Sequence, residues 1–173
     1  MRRVAIGILA LSLAAAVTGC GTMVVNVKDP QAAQLTFKGT WGGWGKSATP
    51  LPATLRLSTH RNYTARITNI PLQQGVTIYA HIRTFSNTEF SKVGQVPLVI
   101  NAQDVSDVAN GNVVRIVIVD PKKQFAASRF VQLRLSPTED AIKRGKAMGK
   151  ILVLVELGNR DPFTKKGATH YSP

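Results

Sequence analysis

Val76, Ile78, Ala80 and Ile82 alternate with Thr77, Tyr79, His81 and Arg83. A period of two puts successive side chains on opposite faces of an extended chain, so this stretch buries an apolar face only as a β-strand. The same pattern recurs with Leu35 and Phe37, with Leu55 and Leu57, with Tyr63, Ala65 and Ile67, and with Val131, Leu133 and Leu135. Two further runs, Val113 to Val119 and Ile151 to Leu157, are apolar on nearly every residue and read as central strands covered on both faces. Val96 to Ile100 is broken by Pro97, which cannot donate to a ladder and so marks an edge strand. Asp29-Pro30, Asn69-Ile70-Pro71, Gly111-Asn112, Asp120-Pro121 and Gly158-Asn159 separate these segments with turn chemistry. Gly75 is placed to take a positive φ before the next strand.

Helical signals are short. Asn101 can cap a turn or two through Val108, with Asp104 near the positive end of the helix dipole. Ser136-Pro137-Thr138-Glu139 has the form of a capping box, followed by Lys143, Arg144 and Lys146, with Gly145 and Gly149 limiting the helix. The expected fold is all-β: an immunoglobulin-like β-sandwich of about eight strands with one or two short helices.

The first twenty residues follow a different logic. Met1-Arg2-Arg3 is cationic, Val4 to Val17 is an uncharged apolar run of 14 residues, and Val17-Thr18-Gly19-Cys20 follows at once. That order marks an export leader, and the run falls short of the about 20 residues a membrane span needs. The terminal Gly-Cys resembles a bacterial lipobox. The resemblance implies cleavage before Cys20, acylation of its thiol and an envelope lipoprotein. Gly21, rather than aspartate, then favours the outer membrane over the inner. Cys20 is the single cysteine, so the fold forms without internal disulfides. The expected organisation is a signal peptide over 1–19, a lipidated cysteine and tether over 20–33, a sandwich over 34–161 and a disordered basic tail over 162–173.

The mature chain would have 154 residues, one domain by length and large enough for a core without staples. Removing Arg2 and Arg3 with the leader leaves 20 Lys and Arg against 9 Asp and Glu, a net charge of +11. Such an excess favours anionic partners: anionic polysaccharide or lipid head groups ahead of nucleic acid, since aromatic residues interleave thinly with the cations.

Three blocks carry a further resemblance. Tyr63 with Arg66-Ile67-Thr68-Asn69-Ile70-Pro71, Gly75 and Tyr79 forms the first. Val96-Pro97-Leu98, Asp104 and Gly111-Asn112-Val113 before a strand ending Asp120-Pro121 form the second. Gly149-Lys150-Ile151-Leu152 with Leu157-Gly158-Asn159-Arg160-Asp161 forms the third. Together they resemble a family of uncharacterised bacterial envelope proteins across residues 35 to 161. The resemblance implies a domain and an envelope setting, and transfers no activity. Lys122-Lys123 makes the second block unusually basic for that family.

No catalytic constellation stands out. His60, His81 and His170 lack the spacing of metal ligands, there is no nucleophile-elbow motif, and Gly42-Gly43-Trp44-Gly45 lacks the ending of a phosphate loop. The chain is expected to be neither an enzyme nor a cofactor or metal binder. If the period-two reading holds, Arg56, Arg66, Arg83 and Arg134 point away from the core, with His81 beside them. Lys143, Arg144, Lys146 and Lys150 form a second cationic cluster around the second helix. These eight are the candidate anion-binding residues. Trp41 and Trp44 could offer an aromatic platform, although packing into one end of the sandwich is favoured. The expected function is therefore a non-catalytic binding or structural module on a membrane anchor. The alternative is a protein–protein assembly module acting through a strand edge or the Trp41–Trp44 loop, with an uncharacterised hydrolase as the weakest reading.

Overall fold

A computed structural model describes residues 21–85, 95–122 and 129–161. The leader, Cys20, His170 and the expected basic tail lie outside these residues. Among the described residues ten strands and two helices follow in order: β1 (Thr22–Val27), β2 (Gln34–Phe37), β3 (Thr49–Pro50), β4 (Ala53–Ser58), β5 (Asn62–Thr68), β6 (Ile78–Thr84), β7 (Gln95–Leu98), α1 (Ala102–Ala109), β8 (Val114–Pro121), β9 (Val131–Leu135), α2 (Ala141–Met148) and β10 (Gly149–Gly158). They form an all-β sandwich. One sheet has the order β4-β1-β7 and the other β3-β2-β5-β6-β10-β8-β9. The described strand pairings all close among residues 22 to 158.

The core forms because period-two strands turn their apolar sides toward one another. Met23, Val25 and Val27 of β1, Leu55 and Leu57 of β4 and Val96 and Leu98 of β7 meet Ile67, Ile78, Ala80, Ile82, Ile116, Ile118, Val153 and Val155 of the larger sheet. α1 joins the thinner layer, burying Val105 and Val108 in the same core. Its capping box closes in both directions at 2.8 Å: the Asp104 amide donates to Asn101 Oδ1, and the Asn101 amide donates to Asp104 Oδ2.

The doubly apolar runs have a second cause. β8 and β10 present Ile116, Ile118, Val153 and Val155 to the main core. Their other face, with Val117, Val119 and Ile151, is covered by Ala141, Ile142 and Met148 of α2. Gly145 allows that cover to lie close, because a Cβ there would stand 2.8 Å from Ile151 Cδ1 and 3.0 Å from Val117 Cγ1. Pro97 does lie on an edge strand, since β7 is the last strand of the smaller sheet. Gly75 does take a positive φ, at 80°.

Three expectations are corrected. Thr22–Val27, expected as part of a tether, form β1, the middle strand of the smaller sheet, with Met23, Val25 and Val27 each 1% exposed. Its alternation with Val24 and Asn26 was the overlooked strand signal. The second helix starts later than the Ser136–Glu139 box. Glu139 Oε2 does accept from the Ser136 amide at 2.9 Å, but this closes a turn, and Asp140 caps the helix by accepting from the Ile142 and Lys143 amides. Lastly, the faces of β9 are inverted relative to expectation. Val131, Leu133 and Leu135 pack in the α2 layer, so Gln132 and Arg134 point inward across the sandwich.

Candidate functional site

The outer face of the larger sheet is left uncovered by α2 over β2, β5 and β6. Alternation brings Thr36, Thr64, Arg66, Tyr79, His81 and Arg83 to this face while their neighbours enter the core. Register sets the rows: Thr36 lies opposite Arg66 and Arg66 opposite Tyr79, while Thr64 lies opposite His81 and His81 opposite Glu156.

The chain after β2 folds over this face. Lys38 bridges back to Trp44, and the Gly45 amide donates to the Phe37 carbonyl at 2.9 Å. The Trp44 indole then lies on the sheet. The Arg66 guanidinium carbon is 4.8 Å from its ring centroid, Lys38 Nζ is 5.3 Å away, and the Tyr79 ring is tilted against it at 5.8 Å. Thr36 is buried beneath this segment, with its methyl 3.7 Å from a Cβ position at Gly45. Two cations and two aromatic rings therefore meet at one place on a polar sheet face, with the cations drawn to the negative face of the indole.

The charges in and around this cluster are unequal. Lys38 Nζ donates to both carboxylate oxygens of Asp161 at 3.2 and 3.0 Å. Arg115 Nε donates to Glu156 Oε1 at 2.7 Å, and its Nη1 donates to the Pro137 carbonyl at 2.6 Å, which ties the turn before α2 to the sheet. Arg66 is different: its Nε is buried and has no hydrogen-bond partner among the described residues. A buried guanidinium N–H without an acceptor is costly, and among the described residues no carboxylate neutralises Arg66.

The expected site residues divide accordingly. Arg66 and Arg83 share the larger sheet's outer face, with Arg83 exposed and 5.1 Å from the Phe85 ring centroid. Arg56 is exposed on the other side of the molecule, on the smaller sheet. Arg134 is not an outward cation. Its Nε and Nη2 donate to the two Asp104 oxygens at 2.7 and 2.8 Å, and Nη2 also reaches the Val99 carbonyl at 3.1 Å. The Asp104 hydrogen bond holds its pKa above the ordinary guanidinium value. Lys143, Arg144 and Lys146 are exposed along α2, and Lys150 is exposed one residue into β10.

Trp41 and Trp44 part company, and neither plugs the core. Trp44 joins the cationic cluster, whereas Trp41 is 100% exposed at the tip of its turn. His60 is exposed in the β4–β5 turn with φ of 55°, and His81 is half-buried on the sheet face. No three His, Cys, Asp or Glu side chains gather into a metal site among the described residues, and no described helix is long and apolar enough to cross a membrane. The Arg66–Trp44–Tyr79 contact escaped the sequence because it depends on the β5–β6 register and on a turn folding back across β2. No protein-family model, curated protein or solved structure matches the chain.

Proposed function

We propose that the protein is a non-catalytic envelope lipoprotein, anchored through an acylated Cys20, whose larger sheet binds an anionic glycan on its outer face. The observation that carries this reading is Arg66, which stacks on Trp44 and has no carboxylate partner among the described residues. A carboxylate or phosphate on a sugar would neutralise that guanidinium, and Trp44 with Tyr79 supplies aromatic surface for the apolar C–H face of a sugar ring. The charge of +11 on the chain from Cys20 onward adds long-range attraction for a polyanion. Arg134 does not belong to the binding residues of this reading, because its guanidinium is already paired with the buried Asp104 carboxylate.

The test is retention of residues 21–173 on immobilised acidic envelope polysaccharide, with a neutral glycan as control. Retention should weaken linearly with the logarithm of salt concentration, as release of bound counterions requires. Arg66→Ala and Trp44→Ala should each lower affinity about tenfold, at about 1.4 kcal/mol per factor of ten. Arg56→Ala should lower it far less. Unchanged retention in a folded Arg66→Ala protein would reject the face as the binding site.

A further inference from the structure

The strand registers gather one set of chain ends at one end of the sandwich. β1 begins there, with Thr22 opposite Ser58 at the end of β4. The β4–β5 turn follows, β6 ends beside it with Arg83 opposite Asn62, and β10 starts and β8 ends at the same side, with Gly149 opposite Pro121. The hairpin after β2 points the same way. The Lys38 amide donates to the Thr64 carbonyl, and the Gly39–Gly43 turn carries Trp41 on toward the level where β5 begins.

Charge is sorted along this axis. Arg61, Arg83, Lys122, Arg129 and Lys150 are exposed at or beside this end, with Asp120 among them and Asp161 paired to Lys38 at the base of the hairpin. At the opposite end stand Asp29, Asp104, Asp107, Glu139 and Asp140, against Lys28, Arg134 and Arg160. The basic end is also rigid where the sheets join. Thr84 Oγ1 accepts from the Arg61 amide at 3.0 Å and donates to the Ser58 carbonyl at 2.8 Å, while Tyr63 Oη accepts from the Ser58 amide at 2.7 Å. Its most prominent apolar group is Trp41, wholly exposed to water. A fixed patch of exposed cations with a protruding tryptophan matches the chemistry of a membrane surface: anionic headgroups outside, and an interfacial layer that favours the amphipathic indole.

We propose that this end of the sandwich docks on an anionic lipid bilayer, with Trp41 in the interfacial layer and the cations on lipid headgroups. The chain geometry agrees. The Gly21 carbonyl already accepts from the Thr59 amide at 2.8 Å, so the fold begins without slack. Two residues of extended chain span about 7 Å, and a lipid on Cys20 would therefore hold this same end against the bilayer. The inference shares the anchor with the proposed function but concerns a different surface from the Arg66 face, and it is testable without the lipid.

Residues 21–173 should be mixed at low salt with vesicles of phosphatidylcholine alone, or containing about one-third phosphatidylglycerol. Sedimentation with the anionic vesicles alone is expected. A blue shift of tryptophan emission should accompany it, persist in Trp44→Phe and vanish in Trp41→Phe. The combined Arg61→Gln and Lys122→Gln variant, which leaves the Arg66 face and its neighbour Arg83 untouched, should lower partitioning at least about tenfold. Leu72→Ser, which alters the other fully exposed large apolar residue at the far end, should bind as the parent does. No binding to anionic vesicles would overturn the proposal, as would a blue shift that survives Trp41→Phe. Competition by soluble glycerol phosphate would overturn it too, because it would indicate a phosphate site rather than a bilayer surface. Arg66→Ala separates the two readings: it should lower glycan affinity about tenfold and leave vesicle binding intact.

Discussion

Arg134 and Arg56 hold the same place in alternating strand patterns and have opposite fates. Arg56 stands exposed beside Leu55 and Leu57, whose side chains enter the main core. Arg134 stands between Leu133 and Leu135, whose side chains face a second apolar layer under α2, and this turns the guanidinium inward onto Asp104. Arg134→Ala would leave a carboxylate only 2% exposed without its main partner. A loss of about 3 kcal/mol in urea unfolding is expected, since stranding a buried charge is strongly unfavourable. Arg56→Ala should stay within about 0.5 kcal/mol of the parent. Equal effects would contradict the inverted facing of β9. The alternation itself was plain in the sequence. Which apolar layer each strand addresses was not, because that depends on where a later helix comes to rest.

At the scale of elements, α2 and β10 meet at Gly149, and two glycines four residues apart make different demands. A Cβ at Gly145 would press on side-chain atoms of Ile151 and Val117, which a small shift of α2 relieves, and alanine would also favour the helix. A Cβ at Gly149 would collide with the Asp120 carbonyl, which is backbone and cannot swing aside. Thermal unfolding should therefore rank Gly149→Ala well below Gly145→Ala, with Gly149→Ala costing about 2 kcal/mol or more. Hydrogen exchange should be slowest in β10 and β8, which are covered on both faces, and fastest in β3, a two-residue edge strand. Faster exchange in β10 than in β3 would contradict the two-layer packing. Most of these elements were legible as strands from their periodicity, and α1 was legible from Asn101 and Asp104. β1 was missed because four hydrophobic residues among small and polar ones resemble a linker until the partners on both sides are known. The Ser136–Glu139 box was read as a helix start because its residue types suit a cap, but Asp140 lies one step closer to the apolar face that α2 must bury.

Over the whole molecule, the proposals assign separate surfaces to separate ligands: a sheet face around Arg66 and Trp44, and a basic end around Arg61 and Trp41. Combining Arg66→Ala with the Arg61→Gln and Lys122→Gln pair should therefore reproduce the glycan defect of the first and the vesicle defect of the second without amplifying either, as expected for sites with no shared partners. Amplification would mean that all three residues serve one continuous surface. The position of β1 has a mechanical consequence as well. It enters the fold between β4 and β7 and is hydrogen-bonded along both sides. A pull applied at residue 20 along the strand would load both ladders in shear, so that their bonds must give way together instead of peeling one by one. A chain held at that point would resist tension through its middle strand, where an edge strand would unzip.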